Sequence, residues 1–185
     1  MAEPDAPIRE IYVQPGESHL VSEPAVLRTV LGSCVGVTFL IPRLGIGALC
    51  HPMMPKCPPV QSVSLSVHAG RRYVDFAIRE MARQFDRLGA TRGEAVVKLF
   101  GGNDVLAVNN DNVQPTIGQQ NSESALRVLA EEGFTVAASR LGGDHGVHIS
   151  FETVRGEVLL RRLDSSTKSR AQKTGCTTHH SGKRR

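Results

Sequence analysis

Tryptophan is absent from this 185-residue chain, and its aromatic content is only 4%. Proteins that read nucleic acids stack bases on aromatic rings and gather basic residues on a folded surface, so no nucleic-acid partner is expected. No apolar run approaches the roughly 20 residues that cross a bilayer. The leading stretch Met1–Glu10 has acids, two prolines and no apolar core, which is not the pattern of a secretory signal. A cytoplasmic, non-membrane-spanning protein is the expectation. Four cysteines are few for a chain of this length, and in that compartment they read as thiols and not as a disulfide framework. Gly (18) and Pro (10) are too sparse for a collagen-like or linker composition.

The formal net charge of +4 is a property of one end. Residues 164–185 hold Lys168, Arg170, Lys173, Lys183, Arg184 and Arg185 against Asp164 alone, net +5. The rest carries 16 basic and 17 acidic residues, net −1, so the body has no basic surplus with which to hold a polyanion. Three regions are expected: a flexible leader over 1–8, a single patterned domain over 9–163, and a disordered basic tail over 164–185. No internal repeat is visible.

Within the body the apolar pattern changes period. Strands are expected at Glu10–Val13, Val26–Leu31, Val35 to Leu40 and Gly45–His51. Pro42–Gly45 turns the last two into a hairpin. A helix follows, with Tyr73, Ala77, Met81, Phe85 and Leu88 on one face and Gly89 as its stop. Ala95–Phe100 reads as a buried strand. A second helix is expected from Ser122 to Glu132 with Asn121 as N-cap. Phe134–Ser139 and a hairpin of Gly146–Glu152 with Glu157–Leu163 complete the chain. The order implies an α/β fold, a layered sandwich of mixed or antiparallel sheet with two main helices.

One segment is over-specified for packing: Thr29-Val30-Leu31-Gly32-Ser33-Cys34-Val35. A strand runs into Gly-Ser-Cys and another leaves. Backbone N–H groups at such a break are not committed to a ladder, so they could lower a thiol pKa and hold an oxyanion. A nucleophilic Cys34 needs a base, and the hairpin returns His51 to the start of the strand that follows Cys34. Thr29 could bond the imidazole or a substrate amide. Plainer readings stand beside these. Cys34 could be a small core residue, His51 could end its strand, and Thr29 could be an ordinary strand residue. Cys50 should face away from His51. A zinc site from Cys34, Cys50, His51 and Cys57 is a further alternative, though the spacing lacks paired Cys-x-x-Cys. Gly101-Gly102 and Gly142-Gly143 have no phosphate-loop spacing and read as tight turns.

Five stretches taken together resemble CheD, the family of chemoreceptor glutamine deamidases. They are Leu31–Val37 with Gly45–Pro55, Lys98–Asn103, Ile117–Asn121, Leu141–Gly143, and Gly156–Leu163, in family order over about residues 10–163. The resemblance implies a sandwich related to deamidating bacterial toxins and a Cys-His deamidase without metal or organic cofactor. It implies Cys34 as nucleophile, His51 as base and Thr29 as the active-site threonine. The backbone around Gly32 and Ser33 would hold the oxyanion. Expected partners are the cytoplasmic domains of methyl-accepting chemoreceptors and a CheC-type phosphatase. The alternatives are a non-catalytic binding partner of such a phosphatase, or a different cysteine amidase or peptidase. Pro52 stands where a bulky apolar residue is expected, and His145 and His148 stand where arginine is.

Overall fold

The structure, a computed structural model, describes residues 8–59, 66–105 and 114–163. The expected leader, apart from Ile8, and the expected basic tail lie outside the described residues.

Among the described residues nine strands form two sheets. They are β1 (Arg9–Tyr12), β2 (Ser18–Val21), β3 (Ala25–Leu31), β4 (Val35–Ile41), β5 (Ile46–Cys50), β6 (Val96–Gly101), β7 (Val136–Leu141), β8 (Val147–Glu152) and β9 (Val158–Arg162). The first sheet runs β1-β3-β8-β9 and the second β2-β5-β4-β6-β7. Of these described strands, β1–β3 and β6–β7 pair in parallel and the others antiparallel. A short helix α1 (Val67–Gly70) leads into α2 (Val74–Arg87), and α3 (Ile117–Glu131) lies between β6 and β7 in sequence.

β4 explains the layering. All seven of its residues are buried, as a strand covered on both faces must be. One face gives Val35, Val37, Phe39 and Ile41 to a core with Ala77, Ile78, Met81 and Phe85 of α2 and Val128 and Leu129 of α3. There the Phe39 ring meets Phe85 and Phe134 edge-on, each at 5.4 Å between centroids. The other face gives Leu40, with Leu49 and Phe100 of the neighbouring strands, to a second core. That core is closed by Leu27 and Leu31 of β3 and Ile149 and Phe151 of β8. The layers are therefore sheet, sheet, helices. Each fully buried large side chain contributes about 1.5–3 kcal/mol of hydrophobic stabilisation, and both cores hold several.

The expected hairpin is present: β4 and β5 pair antiparallel around a 3₁₀ turn at Pro42–Leu44. The helix stop at Gly89 also holds, with φ +70°. Three features differ from expectation. β2 is an additional strand, placed on the edge beside β5. The strands divide between two sheets, with the chain crossing from one to the other between β3 and β4. And α3 begins five residues before Ser122: Thr116, not Asn121, caps it, its hydroxyl accepting from Gln119 N–H while Gln119 reaches back to Thr116 N–H.

Candidate active site

The site lies where β3 hands over to β4. The turn Gly32-Ser33-Cys34 carries the chain from one sheet to the other. Its carbonyls are all engaged. Gly32 O accepts from Asn103 N–H and Cys34 O from Gly102 N–H, both at 2.8 Å. Ser33 O accepts from Asn121 Nδ2 at 2.8 Å. Three successive carbonyls held in this way fix the direction of the intervening amides. The backbone amide of Cys34 acts on its own thiol in the direction that favours the thiolate. Among the described residues neither Ser33 N–H nor Cys34 N–H is taken by a carbonyl.

Gly102 shows why the flanking glycine pair is needed. Its φ is +63°, and a Cβ there would fall 1.9 Å from Ser122 Oγ. The loop after β6 can therefore lie directly under α3 while its amide reaches Cys34 O.

The antiparallel register of β4 and β5 carries past Cys50. Val35 N–H donates to Pro52 O at 3.3 Å, so Cys34 and His51 flank the same rung. Strand alternation sends Cys50 to the helix side and His51 to the space between the sheets. His51 is only 1% exposed. Its backbone is held by Gly16 N–H on its carbonyl and by Glu17 O on its amide. From the opposing sheet, Thr29 meets its ring: Thr29 Oγ1 lies 2.7 Å from His51 Nδ1. The hydroxyl donates to Val13 O at 2.8 Å. With its proton so placed, Thr29 Oγ1 is the acceptor toward the ring, and Val13 O stands a further 3.4 Å from the same nitrogen. Both contacts require a proton on Nδ1, which leaves Nε2 with its lone pair. Nε2 is buried and has no partner among the described residues.

Burial dominates the electrostatics of the pair. It pushes the Cys34 thiol above its ordinary value, opposed by the thiol's own backbone amide. It lowers His51 below the usual imidazole value, opposed by Val13 O and the charge of Glu17. The resting site is a neutral thiol with a neutral imidazole.

Thr29 and His51 are thus in contact, while Gly32, Ser33 and Cys34 form the turn leading into the strand whose first N–H pairs with the residue after His51. The zinc grouping is not assembled. Cys50 is sealed on the far face with its thiol pushed up to about 12 by burial. Among the described residues no three His, Cys, Asp or Glu side chains gather as a metal site. His145 sits outside the cores, between Asp144 and Arg162. His148 faces outward on β8, held below the usual imidazole value by partial burial, Arg161 and Arg28. Sequence reasoning missed two residues at this place. Asn103 is buried beside Gly32 with its Nδ2 unpartnered, and Asn121 was assigned to a helix cap. A fully buried Asn inside a helix is the signal that marks the second, once the Thr116-x-x-Gln119 capping box is recognised.

The layers define a two-sheet sandwich with helices on one side, and at the join of its sheets Thr29 meets the buried His51. Among known proteins, the family described as CheD chemotactic sensory transduction matches residues 53–162, starting two residues beyond His51. A Geobacter sulfurreducens protein named probable chemoreceptor glutamine deamidase CheD 2 is 40% identical over 154 residues, 83% of this chain and 90% of its own length. Proteins named probable chemoreceptor glutamine deamidase CheD are similar in Maridesulfovibrio salexigens (32% identity, 89% of this chain, 98% of that one) and Archaeoglobus fulgidus (33%, 82% and 92%). This chain belongs to the CheD family. In solved structures it is similar to the Bacillus licheniformis hypothetical protein YfiH, with a TM-score of 0.45 and 13% identity over 75% of this chain and 61% of that one. It is also similar to YlmD from Geobacillus stearothermophilus, with a TM-score of 0.43 and 13% identity over 68% and 50%. The chain thus spans less than two thirds of either solved structure. None of the described helices is long and apolar enough to cross a membrane.

Proposed function

We propose that this protein is a chemoreceptor glutamine deamidase acting in the cytoplasm, converting receptor glutamine side chains to glutamate with release of ammonia. The observation that carries this reading is the buried His51. Its Nδ1 is engaged by Thr29 and Val13, while its Nε2 is unpartnered among the described residues and the residue flanks the same Val35–Pro52 rung as Cys34. The names of the relatives supply the substrate class.

In this reading Cys34 Sγ attacks the carbon of the substrate carboxamide as its proton passes to His51 Nε2. The oxyanion is held by the amides of Ser33 and Cys34. The C–N bond breaks as the imidazolium returns the proton to the leaving nitrogen, which departs as ammonia. A thioester remains. His51 then takes a proton from water, the hydroxide adds to the thioester, and the carboxylic acid leaves as the thiol regains its proton. Thr29 and Val13 stabilise the imidazolium at Nδ1 in both halves. Water is the co-reactant, and the sum is carboxamide plus water giving carboxylic acid plus ammonia. The added negative charge on a receptor helix alters helix–helix electrostatics.

The test is ammonia release from a chemoreceptor cytoplasmic fragment. Wild-type protein releases it, while Cys34→Ala keeps the wild-type circular dichroism spectrum and releases none. Full activity in that variant would end the proposal. A CheC-type phosphatase is proposed as a regulatory partner. If binding such a phosphatase is instead the whole function, Cys34 will be inert to iodoacetamide and wild-type protein will release no ammonia.

A further inference from the structure

Asn121 has no exposed surface and lies inside α3, yet both its amide hydrogens go to carbonyls outside the helix. They reach Ser33 O at 2.8 Å and Met53 O at 2.9 Å. The orientation follows from the partners: two carbonyls can only accept, so the NH2 end must face them. Oδ1 has no partner among the described residues. A helix could bury an alanine here at less desolvation cost. The two bonds therefore call for a reason beyond helix packing.

The Ser33 carbonyl belongs to the same peptide unit as the Cys34 N–H. The described peptide bonds are all trans, so that C=O and that N–H point in opposite directions. Donation from Asn121 at Ser33 O thus holds the Cys34 N–H pointing the other way, where no carbonyl of the described residues takes it. It also polarises the peptide, which strengthens the N–H as a donor. The second bond ends on Met53, two residues beyond His51. One carboxamide thereby ties the segment after the base to the turn that carries the nucleophile.

We infer that Asn121 is a positioning residue. It acts through the Ser33–Cys34 peptide to aim the Cys34 amide at the reacting sulfur and the oxyanion, and it holds the nucleophile turn against the His51 segment. The inference rests on the Cys34–His51 reading above.

The experiment uses the full chain and two readouts: the pH dependence of Cys34 alkylation by iodoacetamide, followed by peptide mass spectrometry, and steady-state ammonia release from a receptor fragment. Asn121→Ala moves the alkylation midpoint to higher pH. It lowers kcat by about tenfold to a hundredfold, less than loss of a direct oxyanion donor, with KM little changed. Asn121→Asp, equal in shape but repelled by both carbonyls, gives the same result and carries the test if the alanine variant does not fold. Ser124→Ala is the control. It removes a hydroxyl bond from the next turn of α3 to Pro55 O, in the same segment, without touching the Ser33–Cys34 peptide. It leaves both readouts at wild type. A wild-type alkylation profile and kcat in the Asn121 variants would overturn the inference, as would an equal loss in Ser124→Ala, which would reduce Asn121 to ordinary helix docking. If wild-type protein releases no ammonia, the proposed activity fails, while the alkylation profile still decides the role of Asn121.

Discussion

A thiol and an imidazole that rest neutral behave differently from a preformed ion pair, and the difference is measurable at single residues. Burial raises Cys34 and lowers His51, so in the proposed reaction the thiolate appears only as the substrate is attacked. Two consequences have definite sign. Alkylation of Cys34 should have its midpoint above the ordinary thiol value, and deamidation should persist below the ordinary imidazole pKa of about 6.5, because His51 remains a base there. In the proposed mechanism Thr29 sets which ring nitrogen of His51 acts as the base. Thr29→Val removes the acceptor from Nδ1 and the bond to Val13 O, freeing the ring to take the other tautomer. We expect kcat to fall by about 10²-fold, the low end of what a positioned acid–base group contributes, while Thr29→Ser retains most of it. Equal kcat in Thr29→Val and wild type would remove the tautomer argument.

Elements place these residues, and some elements were more readable than others. The β4–β5 hairpin was legible because Pro42 and Gly45 punctuate two unbroken apolar runs, and with it came the return of the His51 segment beside Val35. α2 was legible from the spacing of Ala77, Met81 and Phe85. The start of α3 was not, because Ile117-Gly118-Gln119-Gln120-Asn121 lacks apolar periodicity. Its Gly118 is there for close contact: a Cβ would fall 2.6 Å from Gly102 O. Edge strand β2, Ser-His-Leu-Val, is short and only part-buried, so it carries little pattern. The split into two sheets was also hidden. Local periodicity reports which face is buried, not against what. Since α3 brings Asn121 to the nucleophile turn, its cap should matter beyond local stability. Thr116→Ala should cost about 1 kcal/mol in urea unfolding and slow alkylation of Cys34. A stability loss with an unchanged alkylation rate would separate the cap from the site.

For the whole molecule, the site at the join of the two sheets ties proton binding to stability. The folded chain holds His51 neutral, whereas the unfolded imidazole binds a proton below about pH 6.5. The unfolded state then carries more protons, so stability is full above that pH and is lost as pH falls toward the lowered folded value. His148 contributes with the same sign. Carboxylates held low by their partners, Glu17 and Glu94 among them, extend the loss to more acid pH. The urea midpoint should therefore decline from about pH 6.5 downward, and His51→Gln should flatten that decline. An unchanged slope in the variant would contradict the burial of a neutral imidazole. Across the fold, the proposed function depends on the Gly32–Cys34 turn bridging two sheets and braced by a helix. The measurement that bears on this most directly is the intact mass of a receptor cytoplasmic domain incubated with the protein. The account predicts a gain of about one dalton per converted side chain, as a carboxamide becomes a carboxyl, with wild type and none with Cys34→Ala. No gain with wild type, or the same gain with both, would contradict it.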